Sequence, residues 1–133
     1  MKDYSLQTQG EELLRLQQGV GVLGDCPPLQ PAIKLAKAIS HVLLTVPGMY
    51  HGWGDQLHRA AVSVPANICE AQGRNTLAQR LQYTSIGRGS CYEVLGLLLA
   101  APVGQDVTKL VDQAREVCVL LDHLVLELTA KRG

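Results

Sequence analysis

The sequence predicts an all-α protein, an antiparallel up-down-up-down four-helix bundle. Of its 133 residues 47% are hydrophobic, yet there is no Phe and only one Trp. The core must therefore be built from Leu, Val, Ile and Ala, which suit helix packing better than an aromatic-rich sandwich. Four segments repeat apolar residues at the helical period between proline and glycine breakers, and none shows sustained apolar and polar alternation. Short connections make consecutive helices antiparallel.

The chain divides into an N-terminal arm and linker, residues 1–25, and a helical bundle, residues 26–133. Residues Glu11–Gln18 are predicted to form a short helix, which the glycines that follow end. Gly19–Gly24 matches GxGxxG, the dinucleotide-binding fingerprint, but that fingerprint needs a preceding strand and a helix that starts on it. Here a helix-like segment precedes the glycines and Pro27-Pro28 follows them. A linker is therefore favoured.

The first two helices are bounded by prolines and glycines. After Pro31, apolar residues recur at helical spacing until Pro47-Gly48 ends the first helix. The second helix follows a glycine-rich loop through Gly54 and contains Pro65. Because an interior proline costs roughly 3 kcal/mol and kinks a helix, we expect this kink to shape the bundle. The predicted core positions of the first helix are Ile33, Ala36, Ile39, Leu43 and Val46.

The third helix has the clearest start signal in the sequence, and the fourth has the clearest stripe of apolar residues. Thr76-Leu77-Ala78-Gln79 is a capping box, which predicts a third helix that begins there and runs to Pro102. The fourth helix, from about Gln105 to Ala130, repeats apolar residues at alternating three- and four-residue spacings. Such a repeat predicts near-parallel packing at about 20°.

Charge is balanced overall, with twelve basic and twelve acidic residues. Net charge therefore gives no reason to expect nucleic acid, and electrostatic effects have to be local. From Ala71 to Tyr92 the only charged side chains are three arginines, whereas from Gln105 to Thr129 five acids face two bases. We predict a basic third helix and an acidic fourth. In a homo-oligomer this asymmetry would either join neighbouring subunits or present a basic surface to RNA.

A specific polar stripe lies within the stretch from Arg59 to Arg74 of the second helix. At 100° per residue its polar side chains share one face, opposite the apolar stripe and predicted to point away from the bundle's core. About a dozen residues later comes a second motif, residues 87–93, with the sequence Gly-Arg-Gly-Ser-Cys-Tyr-Glu. The residues of the stripe are Arg59, Ser63, Asn67, Glu70 and Arg74.

Together the two motifs resemble the bacterial four-helix-bundle family encoded in intervening sequences of large-subunit rRNA genes. This family includes the accessory variability determinant (Avd) proteins of diversity-generating retroelements. The motifs span about residues 51–95 and match without a gap. The matching residues are Gly52, Gln56, Arg59 to Ala61, Ser63, Pro65, Asn67, Ile68, Glu70, Gly73, Arg74, Arg88 to Ser90 and Glu93. The departures from the family pattern are Trp53, His58, Cys69, Ala71 and Gly87.

The resemblance implies a homo-oligomeric ring, a pentamer of four-helix bundles with a central channel. In the retroelement branch such a ring is a non-catalytic accessory that binds the reverse transcriptase and its template RNA. The alternative is a homo-oligomeric protein-interaction scaffold that binds no nucleic acid. The residues predicted to contact nucleic acid or a partner are Arg59, Arg74, Arg80 and His58. Those predicted to be structural or to lie at the oligomer interface are Ser63, Pro65, Asn67, Glu70, Arg88, Ser90 and Glu93.

Arg88 lies seven residues from a leucine on either side, which places it on the apolar stripe of the third helix. We expect a buried or interfacial ion pair with Glu70 or Glu93, and direct RNA contact is the alternative. Glycines inside a helix cost about 1 kcal/mol each relative to Ala, so their presence on this helix predicts close approach of another backbone. These glycines are Gly87, Gly89 and Gly96.

No catalytic centre, metal site, cofactor or small-molecule substrate is predicted. The four histidines and four cysteines lack HExxH, CxxC and related ligand spacings, and Ser90 is not in a GxSxG motif. An enzyme that uses these thiols or histidines is the third interpretation, ranked below the ring and the scaffold. The longest apolar run, Val94 to Ala101, is too short to span a bilayer. We expect a cytoplasmic protein with reduced thiols.

Overall fold

The computed structural model describes residues 26–46, 48, 51–102 and 104–132. These residues form four α-helices and no strand. The predicted N-terminal arm, residues 1–25, lies outside the described residues. The helices are α1 (Leu29–Thr45), α2 (Trp53–Gln72), α3 (Leu77–Leu99) and α4 (Thr108–Arg132).

The four helices close into a bundle. Each packs against its neighbours in the chain, and α1 also packs against α4, whereas the backbones of the diagonal pairs stay further apart within the described ranges. At the start of α2, Trp53 Nε1 donates to the carbonyl of Leu97 in the last turn of α3, at 2.6 Å. At the end of α2, Arg74 contacts Tyr83 near the start of α3. The two helices therefore run antiparallel, and the prediction of an all-α four-helix bundle is confirmed.

Aliphatic side chains from all four helices fill the core, as the composition predicts. α1 begins at Leu29, earlier than predicted, with Pro28 at its N-cap and Pro31 in its first turn. Proline is tolerated there because the first backbone N–H groups of a helix have no partner within the helix. The largest fully buried side chains are Leu29, Leu35, Ile39, Leu57, Ile68, Leu98, Leu121, Val64, Val94, Val117, Thr84 and Pro28.

The capping prediction for α3 is confirmed at its hydroxyl, since the Gln79 N–H donates to Thr76 Oγ1 at 3.1 Å. α3 ends at Leu99, three residues before the predicted limit at Pro102. α4 begins at Thr108. The backbone N–H of Thr108 donates to the Asp106 carboxylate at 3.1 Å.

The prediction that the fourth helix is acidic is wrong. α4 continues to Arg132, so it includes Lys131 and Arg132 in its last turn. Four acids, Asp112, Glu116, Asp122 and Glu127, are then balanced by four bases, Lys109, Arg115, Lys131 and Arg132. Basic residues in a last turn are favourable because they face the negative end of the helix dipole.

Thr84 is the one buried polar side chain among the described residues, at 0% exposure. Its hydroxyl oxygen has no hydrogen-bond partner within them. A buried hydroxyl without a partner costs about 1 to 3 kcal/mol, because it has left water without compensation.

Thr84→Val is therefore expected to stabilise the protein by about 1 kcal/mol or more, since valine has the same shape without the hydroxyl. Urea unfolding followed by circular dichroism measures the change. Thr84→Ala is the matched control, and it should be less stable than the valine variant because it also removes a buried methyl group. A valine variant less stable than wild type would mean that the hydroxyl is hydrogen-bonded in solution.

Candidate partner and nucleic-acid interface

A small polar cluster joins α2 to α3 at the middle of the bundle. The hydroxyl oxygens of Ser63 and Ser90 lie 2.8 Å apart. Asn67 Nδ2 donates to the Ser63 carbonyl at 2.8 Å and to the Ser63 hydroxyl at 2.9 Å. All three side chains are half-buried. The Ser63–Ser90 hydrogen bond links the two helices across their line of contact, the α2–α3 seam.

The polar stripe of α2 is predicted to face away from the bundle's core, and this placement shows that part of it contacts α3 beside the core. Each helix of a bundle has two neighbours, so residues on both flanks of its core stripe also meet another helix. Ser63 and Asn67 are on the flank that faces α3, whereas Arg59 and Glu70 are exposed. Pro65 lies inside α2, which continues on both sides of it.

Gly87 lets the two helices approach at this cluster. A Cβ added to Gly87 would lie 3.4 Å from Asn67 Cβ and 3.4 Å from the carbonyl oxygen of Val64. The prediction of close backbone approach is confirmed here. Gly89 and Gly96 differ, because a Cβ added to either would meet nothing within 4 Å in the part of the chain that the structure describes. Both are exposed.

Four predicted site residues line one shallow groove between α2 and α3. The groove has a volume of about 360 Å³. Arg59 is exposed at its edge and pairs with Asp55, one turn earlier, at 3.2 Å. The groove thus has a cation at one side and a carboxylate, Glu93, at the other. Its lining residues are Gln56, Arg59, Ala60, Ser63, Ser90 and Glu93.

Two predicted contact arginines lie together where α2 passes into α3. Arg74 donates to the Glu70 carboxylate and, at 3.0 Å, to the Tyr83 hydroxyl. Its guanidinium carbon lies 4.4 Å from the centre of the Tyr83 ring. The hydrogen bond to Glu70 is the main cause that raises the pKa of Arg74. Arg80 Nε donates to the Arg74 carbonyl at 3.0 Å. Arg74 thus links the end of α2 to the start of α3 through its side-chain contacts. Arg80 is exposed, and its guanidinium makes fewer contacts than that of Arg74.

The remaining predicted basic residues lie elsewhere on α2. Arg59 lies 13 residues before Gln72, the last residue of α2, or roughly 20 Å at 1.5 Å per residue, and Arg74 follows that end of the helix. His58 is half-buried, and its Nδ1 lies 3.4 Å from the hydroxyl of Ser40 on α1. The predicted contact set is therefore not one cluster, and His58 faces α1.

The prediction that Arg88 forms an ion pair with Glu70 or Glu93 is wrong. Arg88 pairs with Asp122 of α4, not with Glu70 or Glu93. The Tyr92 hydroxyl donates to Asp122 Oδ2 at 2.9 Å, and the Arg88 guanidinium carbon lies 5.2 Å from the Tyr92 ring centre. The hydrogen bond from Arg88 is the main cause that lowers the pKa of Asp122.

Arg88 is also less buried than its position in the sequence suggests. The buried stripe of α3 is Thr84, Gly87, Cys91, Val94 and Leu98. Arg88 lies beside that stripe, on the flank that faces α4, so its side chain is 44% exposed and that of Asp122 is 32% exposed. An ion pair this exposed is worth little as a single contact, and together with Tyr92 it links α3 to α4.

Neither a metal site nor a membrane span is found in the described ranges. They hold no group of three or more His, Cys, Asp or Glu side chains placed to bind a metal ion. None of their helices is long and apolar enough to cross a bilayer.

The fold and the α2–α3 seam define a small helical-bundle protein whose signature residues join two helices. The model of the 23S rRNA-intervening sequence protein family matches residues 27–122. The chain therefore belongs to this family. The match covers α1, α2, α3 and more than half of α4, including both motifs of the seam. A search of curated proteins found no match.

Proposed function

We propose that the chain is a non-catalytic accessory protein that assembles into a homo-oligomeric ring, a pentamer, and binds structured RNA together with a reverse transcriptase. The proposal extends the family membership with the properties of the Avd branch, which the two motifs resemble. It makes two separable claims, one about self-assembly and one about RNA.

The exposed face of α3, opposite its buried stripe, supports the claim of self-assembly. Gly89 and Gly96 are seven residues apart and lie at the centre of this face, opposite the buried stripe. Three exposed apolar side chains, Ile86, Tyr92 and Leu99, flank them. Exposed glycines weaken a helix by about 1 kcal/mol each, a cost that needs a reason. Close approach of a helix from a second copy, packing on these apolar side chains, supplies one.

The exposed arginines support the claim of RNA binding. Arg80 stands at one end of the α2–α3 seam and Arg59 near the other, and both project from the bundle. Repeated around a ring, they would form two circles of positive charge at the ends of the same seam. Phosphate contacts need only such charges and not a net positive protein, since the attraction to phosphates is local.

A double variant, Arg59→Gln with Arg80→Gln, tests the RNA claim. Binding of a structured RNA hairpin should weaken, and the slope of log K against log salt should fall by about 0.7 to 0.9 per lost contact. Fluorescence anisotropy at a series of salt concentrations measures both. Arg74 is left unchanged because it braces the helix connection.

Lys37→Gln is the matched control, since Lys37 is an exposed base on α1. It should leave both affinity and slope unchanged. Light scattering after size exclusion reports the oligomer of each variant. If the wild type forms a ring but shows no salt-sensitive RNA binding at low ionic strength, the scaffold interpretation replaces the RNA one. If the double variant instead dissociates the ring, these arginines bridge subunits.

A further inference from the structure

Two cysteines face each other across the α3–α4 seam. The sulfur atoms of Cys91 and Cys118 lie 3.1 Å apart, and both residues are free thiols. Cys91 is 0% exposed and Cys118 is 4% exposed. The Cys91 thiol is also within 3.5 Å of the Ala114 carbonyl, to which it donates. The other two cysteines, Cys26 and Cys69, are half-buried on other parts of the bundle.

A disulfide bond has a sulfur separation of about 2.05 Å, so the two atoms need to approach by only about 1 Å. We infer that Cys91 and Cys118 form a site of reversible oxidation, at which a hydroperoxide converts the two thiols into an intramolecular disulfide between α3 and α4. Nothing in the proposed assembly or RNA binding requires this pair, so the inference stands apart from them.

The surroundings of the pair distinguish the two sulfurs. The hydrogen bond between the two thiols is the main cause that lowers the pKa of Cys118, whereas burial and the Asp122 carboxylate act in the opposite direction. The hydrogen bond with Cys118, together with burial, raises the pKa of Cys91. The thiolate is the reactive form of cysteine. Because Cys118 is the more exposed of the two residues, it is the attacking sulfur, and the fully buried Cys91 is the resolving one.

The reaction balances with one hydroperoxide. The Cys118 thiolate attacks a peroxide oxygen, the O–O bond breaks, and Cys118 becomes a sulfenic acid while hydroxide leaves and takes up a proton. The Cys91 sulfur then attacks the sulfenic sulfur, loses its proton, and displaces the oxygen as water. With hydrogen peroxide, two thiols are oxidised by two electrons, and the peroxide is reduced to two molecules of water.

On this proposal hydrogen peroxide, a small molecule, reaches the thiols from the side of the Arg88–Asp122 ion pair. Cys118 precedes Asp122 by one helical turn, and Cys91 follows Arg88 by three residues, so the half-exposed ion pair lies directly beside the thiols. The disulfide would tie the two helices on either side of the residue 100–107 connection. The loop that the disulfide would close runs from Cys91 to Cys118. Closing it restricts the unfolded chain, so the melting temperature should rise by on the order of 10 °C.

The test uses the full chain with Cys26→Ser and Cys69→Ser, which leaves only the proposed pair. After treatment with hydrogen peroxide, we expect the intact mass to fall by two hydrogen atoms and both thiols to become unreactive towards a thiol reagent in denaturant. Dithiothreitol should restore them. Trypsin separates the two cysteines, and the peptides Gly89–Lys109 and Glu116–Lys131 should be recovered as one linked pair.

The matched control adds Cys118→Ser, which should gain oxygen or stay unreacted but lose no hydrogen. If the serine variants fail to fold, the linked tryptic pair is sought in the oxidised wild-type chain instead. Three results would overturn the inference: oxygen adducts on the parent without loss of hydrogen, disulfide-linked dimers in its place, or no reaction under conditions that fully oxidise glutathione.

Discussion

Gly87→Leu is expected to be among the most destabilising single substitutions in this protein. A Cβ at this position already reaches contact distance, 3.4 Å, from Asn67 Cβ and from the Val64 carbonyl oxygen. The further carbons of leucine have no space between α2 and α3, and they would displace the Ser63–Ser90 hydrogen bond beside them. Overpacking costs about 1 to 3 kcal/mol and at times more.

Urea unfolding followed by circular dichroism measures this effect. The matched control is Gly87→Ala, which adds only a Cβ, 3.4 Å from its two nearest atoms. It should change stability little, because the gain in helix propensity opposes the close contact. An unchanged unfolding midpoint for the leucine variant would mean that the helices part easily, and the seam would then not be a fixed structural element.

Gly89→Leu combined with Gly96→Leu is expected to have the opposite signature, with the fold kept and the assembly lost. The two positions are exposed in the subunit, and a Cβ added at either meets no atom of the described chain within 4 Å, so a leucine side chain can extend into solvent. Helix propensity favours leucine over glycine by roughly 0.5 to 1 kcal/mol per position. In a ring whose helices meet at these glycines, the added side chains would hold the subunits apart.

Light scattering coupled to size exclusion should therefore show the wild type as an oligomer and the double variant at the 14.4 kDa of one chain. Circular dichroism should show unchanged or greater helicity. Lys37→Leu, an exposed residue of α1, controls for a surface leucine as such. A double variant that keeps the wild-type mass would place the interface elsewhere, and a wild type that is monomeric at micromolar concentration would end the ring proposal.

The spacing of apolar residues and the prolines and glycines between the segments are enough to predict most of the fold. The four segments, the capping hydroxyl of Thr76 and the composition of the core are local properties, and each can be read from a short window of sequence. The start of α1 at Leu29 does not follow from the breaker pattern, because proline is tolerated in a first turn and Pro31 does not interrupt the helix there. The prediction of an acidic α4 depends on where the helix ends, because two bases, Lys131 and Arg132, lie in its last turn.

The contacts between helices were harder to predict. Ser63 and Ser90 both belong to the recognised motifs, yet their hydrogen bond depends on the register of α2 against α3. Arg88 was recognised as a pairing residue, but Asp122 lies 34 residues further along the chain. No spacing within a single helix selects that partner. The ring and its RNA partner depend on a second molecule and stay predictions.

Trp53 gives this bundle a built-in optical reporter. It is the only tryptophan in the chain, and its indole N–H donates across the seam to the Leu97 carbonyl at 2.6 Å. Its emission therefore comes from one place, the junction between the first turn of α2 and the last turn of α3. A shift of that emission to longer wavelength would signal water at this junction, so separation of these two helices can be followed in real time without a label.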